Sequence, residues 1–257
     1  MSRRHARRHA SQAAAIERAL AEKGWKLTHI LNTHHHADHT GGNVVRRRSL
    51  RSTAASASLT RARAPQELKA RHGATVVGPA ADAARIPGLD VAASHGQELS
   101  LGASAFTVLH TPGHTRGHCV FHFPAARAAF VGDTLFSLGC GRLFEGTPAQ
   151  MWASLQALAA LPDDTLLYCA HEYTASHARF AMTLEGGANA ALVARDAAVR
   201  AARAEGKPTV PTTVALEKAT NPFLRPHSPA LRAALGMGPD APDVDVFAET
   251  RRRKDTF

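Results

Sequence analysis

The stretch Thr33-His34-His35-His36-Ala37-Asp38-His39-Thr40-Gly41-Gly42-Asn43 limits what this chain can fold into more than any other. It reads His-x-His-x-Asp-His and follows an aliphatic and β-branched run, residues 26–33, with the character of a buried strand. Side chains alternate faces on extended backbone, so His34 and His36 point one way and His35 the other. Two imidazoles on one side of a strand end make half of a metal site. Asp38 and His39 follow after the chain turns, where Gly41 and Gly42 permit tight backbone, and offer an oxygen and a nitrogen to a second ion. Imidazole and carboxylate suit zinc, iron or manganese, and can leave a coordination position open for water. The competing reading is a histidine-rich surface loop in a chain with 16 His. That reading accounts for neither the strand, the turn nor the glycines, and a motif counts only when its structural context agrees.

A chain of 257 residues holds one large domain, or one domain and a smaller appendage. Its hydrophobic content of 44% supports a full core, and no apolar run approaches the ~20 residues that cross a bilayer. Cys119, Cys140 and Cys169 are odd in number and widely spaced. They argue against a disulfide framework and for a reducing, cytoplasmic compartment. A net charge of +10 raises the question of nucleic acid. Four arginines in Met1–Ala10 and six in Val44–Gln66 account for all of it. The remaining body is neutral and lacks the aromatic interleaving that stacks bases, so nucleic acid is not the expected partner.

Residues 1–10 read as a basic, disordered leader with no apolar periodicity. Ser11 reads as the N-cap of a helix over Gln12–Lys23 that stops at Gly24. Val44–Gln66 is Arg, Ser and Ala with few large apolar residues, the composition of a mobile insertion. A helix over Glu67–Arg71 follows, then strands over Ala74–Gly78, Glu98–Leu101, Ala105–His110, Cys119–Phe123 and Ala128–Val131. Thr147 caps a helix over Pro148–Leu161 with Pro in its first turn, and a strand over Thr165–Cys169 comes next. From Thr174 the signals are helical: Ala175–Leu184, Ala190–Glu205, and shorter pieces near Val214–Ala219, Pro229–Leu235 and Val244–Lys254. An α/β body over residues 11–171 thus precedes a helical unit over 172–257.

Three later stretches carry further candidate ligands. His114 follows a strand and the turn-forming Pro112-Gly113, and reads as a third imidazole for the first ion. His110 and His118 flank it and are better explained by packing or by hydrogen bonds behind the ligands. Asp133 ends the apolar strand Ala128–Val131, where a carboxylate can bridge two cations at the ~3.5–4 Å typical of two-metal sites. His171 ends another strand and would complete the second ion. Each is weak alone; their shared place at strand ends, where ligands gather in layered α/β proteins, strengthens all three.

With these residues in place the chain resembles the metallo-β-lactamase superfamily and, within it, glyoxalase II (hydroxyacylglutathione hydrolase). The resemblance rests on Thr33–Asn43, Thr111–His118, Gly132–Phe136, Gly139-Cys140-Gly141-Arg142-Leu143-Phe144-Glu145-Gly146, His171-Glu172-Tyr173-Thr174, Asn221-Pro222-Phe223 and the closing Arg251–Asp255. The first of these marks the superfamily; the Gly-Cys-Gly-Arg segment, the helical tail and the basic terminus point to glyoxalase II. The resemblance implies an α/β fold, the αββα sandwich with its N-terminal strands missing here, and a C-terminal helical domain. It implies two divalent ions, zinc or else iron or manganese. His34, His36 and His114 would hold one, Asp38, His39 and His171 the other, and Asp133 would bridge, with Asp38 and Asp133 the catalytic carboxylates. It also implies a cytoplasmic monomer active in methylglyoxal detoxification, hydrolysing S-D-lactoylglutathione to glutathione and D-lactate. Glutathione contacts fall on Arg142, Tyr173, Arg251 and Lys254. The chemistry is consistent: a water between two cations loses a proton near neutral pH, a thiolate is a good leaving group, and Arg and Lys pair with the two carboxylates of glutathione.

The sequence departs from the family pattern in three places. Only 33 residues precede His34 where relatives begin with additional strands, Val44–Gln66 is foreign, and Ala170 stands where Gly is usual. The short start sets an expectation of marginal, chelator-sensitive stability, because a sheet without its first strands exposes an edge and apolar side chains. The rival readings are a sulfur dioxygenase or other hydrolase of the same superfamily, and a truncated, inactive or nucleic-acid-binding derivative.

Overall fold

Alanine and arginine, both strong helix formers, dominate the start of the chain. In the computed structural model, which describes residues 3–43 and 68–257, they build a helix α1 over Arg3–Lys23. This corrects two expectations. The leader read as disordered is helical from Arg3, and Ser11 lies inside the helix instead of capping it, since Arg and Ala continue a helix without a fresh start signal. The stop is as expected: Gly24 takes a left-handed conformation (φ 63°) and Trp25 N–H closes on Leu20 O at 2.9 Å. The insertion expected over Val44–Gln66 lies outside the described residues.

The chain divides into two compact units, Met1–Ala92 and Ala93–Phe257. In the first, β1 (His29–Leu31) leads into a single-turn helix α2 (Ala37–Thr40). After α3 (Leu68–His72) comes β2 (Thr75–Pro79), parallel to β1 with His29 opposite Thr75 and Leu31 opposite Val77. A 3-10 turn, Ala80–Arg85, then leads to β3 (Val91–Ala93), which lies on the far side of β2. Glu17 of α1 accepts from Arg71 and His72 of α3 at 2.9 and 3.1 Å. Such partly exposed pairs contribute little stability each but fix the orientation of short helices.

The second unit begins with an antiparallel meander of β4 (Glu98–Leu101), β5 (Ser104–His110), β6 (Cys119–Phe123) and β7 (Ala128–Gly132). A small hairpin, β8 (Leu135–Phe136) and β9 (Gly139–Cys140), follows. Helix α4 (Pro148–Ala159) then carries the chain back to β10 (Leu166–Cys169), parallel to β7. The α4 start is a full capping box: Thr147 Oγ1 accepts from Gln150 N–H at 3.2 Å, and Gln150 Oε1 accepts from Thr147 N–H at 3.0 Å. Beyond it lie α5 (Thr174–Glu185), α6 (Ala190–Ala204), β11 (Thr212–Thr213), α7 (Val214–Thr220), α8 (Pro229–Leu235) and α9 (Asp243–Thr256). The six strands run in the order β11-β10-β7-β6-β5-β4.

One core joins this sheet to the helices around it. Val120, Ala129, Val131 and Leu167 of the strands meet Met151, Leu155 and Leu158 of α4, Phe180 of α5, and Phe223 and Phe247 further on. Helices α5, α7 and α9 therefore share the core of the second sheet through Phe180, Val214 and Phe247. No helix among the described residues is long and apolar enough to cross a membrane.

Candidate metal centre and basic wall

In the first unit the motif begins as β1 ends. Asn32 still donates to Val77 O at 2.9 Å, which keeps the chain extended up to the histidines. His34 Nδ1 lies 3.2 Å from Thr33 Oγ1, and its Nε2 lies 3.0 Å from His36 Nδ1. His34 is fully buried. His35 turns the other way, as strand alternation requires, with Nδ1 2.9 Å from the buried Asp82 carboxylate and Nε2 3.2 Å from Arg85. The His39 ring sits 4.0 Å from His34 between centroids, and His39 Nε2 is 3.8 Å from the exposed Asp38 carboxylate. Buried Asn32 and Asn43 hydrogen-bond to each other, and Asn32 also donates to His39 O at 3.0 Å. The glycines act differently from expectation. Gly41 has ordinary helical torsions (φ −66°) and ends α2 by donating to Ala37 O at 2.8 Å. Gly42 matters for space, because a Cβ there would stand 3.3 Å from Leu68.

In the second unit three donors reach one another from separate strand ends. His114 donates from Nδ1 to Arg142 O at 2.9 Å, and a carbonyl can only accept, so Nε2 keeps its lone pair. That Nε2 is 3.4 Å from Asp133 Oδ2, and His171 Nε2 is 3.6 Å from the same oxygen. Asp133 N–H donates to His118 Nε2 at 3.1 Å, which places the His118 proton on Nδ1, facing the hydroxyls of Thr111 and Thr134 at 3.0 and 2.9 Å. His118 thus supports the ligands from behind, and His110 is tied to Arg116 O at 2.8 Å. A Cβ on Gly141 would fall 2.0 Å from Asp133 O, so only glycine lets the Arg142 segment close over the aspartate. His171 stacks on Tyr173 at 5.0 Å, and the exposed Phe144 lies 5.2 Å from the His114 ring. The imidazoles and carboxylates of the two units are donors of the types that fit divalent zinc, iron or manganese.

A basic wall lies in the same unit. Arg142 is exposed, with Nε 3.7 Å from Asp255. Lys254 Nζ sits over Phe180 and Phe257 at 5.5 and 5.0 Å. Burial first, then the charges of Arg251, Arg142 and Arg179, hold its pKa below the usual lysine value. Arg251, expected to face substrate, is only 5% exposed. It donates to Cys140 O at 2.9 Å and Asp255 at 2.8 Å, and lies over the Phe223 ring at 5.1 Å. Its guanidinium braces the wall from inside, a role that the i,i+4 spacing to Asp255 hints at but only the fold of β9 against α9 discloses. Burial pushes the Cys140 thiol up to about 11, so it stays an inert thiol. Sequence reasoning missed Asp82, Arg179 and His177. The one signal available was His177 at i+4 from Tyr173, one helical turn along.

The family model for the metallo-beta-lactamase superfamily matches residues 5–171, and that for the hydroxyacylglutathione hydrolase C-terminus matches residues 172–257. The chain is 53% identical over 245 residues to a hydroxyacylglutathione hydrolase of Methylococcus capsulatus, covering 95% of this chain and 86% of that one. It is 52% identical over 236 residues to a hydroxyacylglutathione hydrolase of Maricaulis maris, with 92% and 83% covered. Among solved structures, ETHE1 from Myxococcus xanthus superposes with a TM-score of 0.54 at 26% identity, over 96% of this chain and 84% of that one.

Proposed function

We propose that this chain, which belongs to the hydroxyacylglutathione hydrolase family of metallo-β-lactamase-fold thioester hydrolases, cleaves S-D-lactoylglutathione to glutathione and D-lactate at a dinuclear metal centre. His34, His36 and His114 would hold one ion, Asp38, His39 and His171 the other, and Asp133 would bridge them. Zinc suits the donors best, with iron and manganese as alternatives. When bound, the ions supply Lewis acidity, lowering the pKa of a water to near neutral and opposing negative charge on the thioester oxygen. The observation that carries the reading is Asp133 Oδ2 lying between His114 Nε2 and His171 Nε2, at 3.4 and 3.6 Å.

The residues around these donors then have defined work. The Arg142 carbonyl fixes the His114 tautomer, and His118 holds the Asp133 backbone, so neither donor must reorganise during the reaction. Phe144 and Tyr173 form an aromatic rim on His114 and His171 that excludes water from one side of each ring. Arg142 and Lys254 take the carboxylates of glutathione, with Arg251 and Asp255 behind them. The departing thiolate is stable enough to leave without a dedicated acid. The three free cysteines suit a reducing compartment, and the substrate reading carries with it a role in methylglyoxal detoxification.

The experiment is a hydrolysis assay on S-D-lactoylglutathione with elemental analysis of the same chelator-free sample. We expect steady turnover and close to two metal ions per chain. A ceiling near one ion after excess zinc or manganese, or no turnover, overturns the proposal.

A further inference from the structure

The basic wall is made of donors. Arg142, Arg179, Arg251 and Lys254 suit carboxylates, but a glutathione thioester also carries two peptide N–H groups that need acceptors once they leave water. The acidic group beside the wall, Asp255, already accepts from Arg251 at 2.8 Å and lies 3.7 Å from Arg142. A buried side chain beside Tyr173 can also accept. His177, on α5, is 7% exposed and packs between Phe136 and Tyr173, with ring centroids 5.7 and 6.0 Å away. Its Nδ1 lies 3.1 Å from Ser137 O. A carbonyl cannot donate, so Nδ1 bears the proton and Nε2 presents a lone pair. Among the described residues Nε2 has no hydrogen-bond partner, and it is not among the sealed, unsatisfied atoms. The fold makes room for this ring: a Cβ on Gly139 would stand 2.4 Å from Nδ1, so the first glycine of the Gly-Cys-Gly-Arg segment is the space His177 occupies.

We propose that His177 is a substrate-recognising residue, its Nε2 accepting a hydrogen bond from a peptide N–H of the glutathione moiety. This rests on the function proposed above and deepens it. Two features select the ligand group. Burial, and then the charges of Lys254 and Arg251, pull the pKa of the ring down to about 4 against the Ser137 bond, so it is a neutral acceptor at neutral pH. The same two cations disfavour an ammonium at this position, which leaves an uncharged donor, and the peptide N–H groups are those the glutathione moiety offers. A wall of cations with one neutral acceptor distinguishes a peptide-bearing thiol carrier from a plain dicarboxylate.

Two substitutions separate this role from a structural one. His177→Gln places an amide oxygen near the position of Nε2 but gives up the Ser137 bond. His177→Asn can keep the Ser137 bond but falls short of the Nε2 position. We expect His177→Asn to raise KM for S-D-lactoylglutathione about tenfold with kcat within about twofold, the size of one lost hydrogen bond to a buried partner. His177→Gln should stay within about threefold of wild type. Neither should change kcat/KM for the D-lactoyl thioester of mercaptoethanol, which has no peptide N–H. The opposite order of the two variants, equal KM in both, or parallel losses on both thioesters overturns the role of His177. Melting temperatures check that each variant is folded; should His177→Asn fail to fold, His177→Leu, which also lacks an acceptor, carries the same KM comparison. Wild type turning over the mercaptoethanol thioester but not S-D-lactoylglutathione overturns the proposed substrate as well, and so is distinguishable.

Discussion

The two units build their donors in opposite ways. In the first, His34, His36, Asp38 and His39 come from one strand end and one helical turn, and adjacent residues orient them. In the second, His114, Asp133 and His171 follow three different strands; the Arg142 carbonyl and the His118 ring, 28 and 15 residues away, orient the first two, and the neighbouring Tyr173 ring stacks on the third. A local site is specified by spacing, whereas a distributed one depends on the whole sheet. Damage to the second should therefore be felt both as chemistry and as stability, and damage to the first mainly as chemistry.

The largest effect tests that contrast at its centre. Asp133→Ala removes the oxygen shared by His114 and His171, and should lower kcat by about three orders of magnitude or more, ~4 kcal/mol of barrier. Single-turnover kinetics with metal analysis of the variant checks it. Activity within tenfold of wild type would show that the carboxylate is not a bridge.

The next prediction compares supports in the two units. Behind the second stands a buried network. Glu217 accepts from Leu138 N–H at 2.9 Å, Asn221 at 2.8 Å and Thr212 at 2.6 Å, and is paired with Arg195. Leu138 is held at φ 60°, and Asn221 donates to Gly139 O at 3.0 Å, so the network fixes the β8–β9 turn ahead of Arg142. Glu217→Ala leaves Arg195 buried and unpaired and should cost about 3–5 kcal/mol in urea unfolding. Asp82→Ala in the first unit removes the carboxylate that holds His35, the residue between His34 and His36, and should weaken metal binding by less than about tenfold in chelator competition. An equal stability loss from both would erase the difference between the units.

The same contrast explains what the sequence could disclose. The His-x-His-x-Asp-His run is legible because its geometry is local, and the α4 capping box because Thr147 and Gln150 stand three apart. Strands β4 to β7 follow from alternation and turn residues within one or two positions. The start of α1 is not legible because propensity alone continues the helix without a cap. The β8–β9 hairpin has two residues in each strand and exists through Glu217 and Asn221, which lie far along the chain. Arg251 looks like surface charge in a run of arginines, and only tertiary packing against Cys140 and Phe223 buries it.

The smallest expected effect concerns the wall itself and separates recognition from chemistry. Lys254 is half-buried and free to pair with a carboxylate, whereas Arg251 is already committed to Cys140 O and Asp255. Lys254→Ala should therefore raise KM for the glutathione thioester about fivefold, ~1 kcal/mol, the discounted worth of a partly exposed charge-assisted hydrogen bond. Because this contact is made equally in ground and transition states, kcat should not change. The effect should shrink with added salt, which screens exposed pairs. Arg251→Ala should behave differently, lowering the melting temperature as well as raising KM, since it opens space under Phe223 and leaves the Cys140 carbonyl without its donor. Steady-state kinetics at two ionic strengths, with thermal melts of both variants, resolves the two patterns. A Lys254→Ala variant with unchanged KM at low salt would remove the lysine from the recognition surface, and a kcat defect would place it in the chemistry instead.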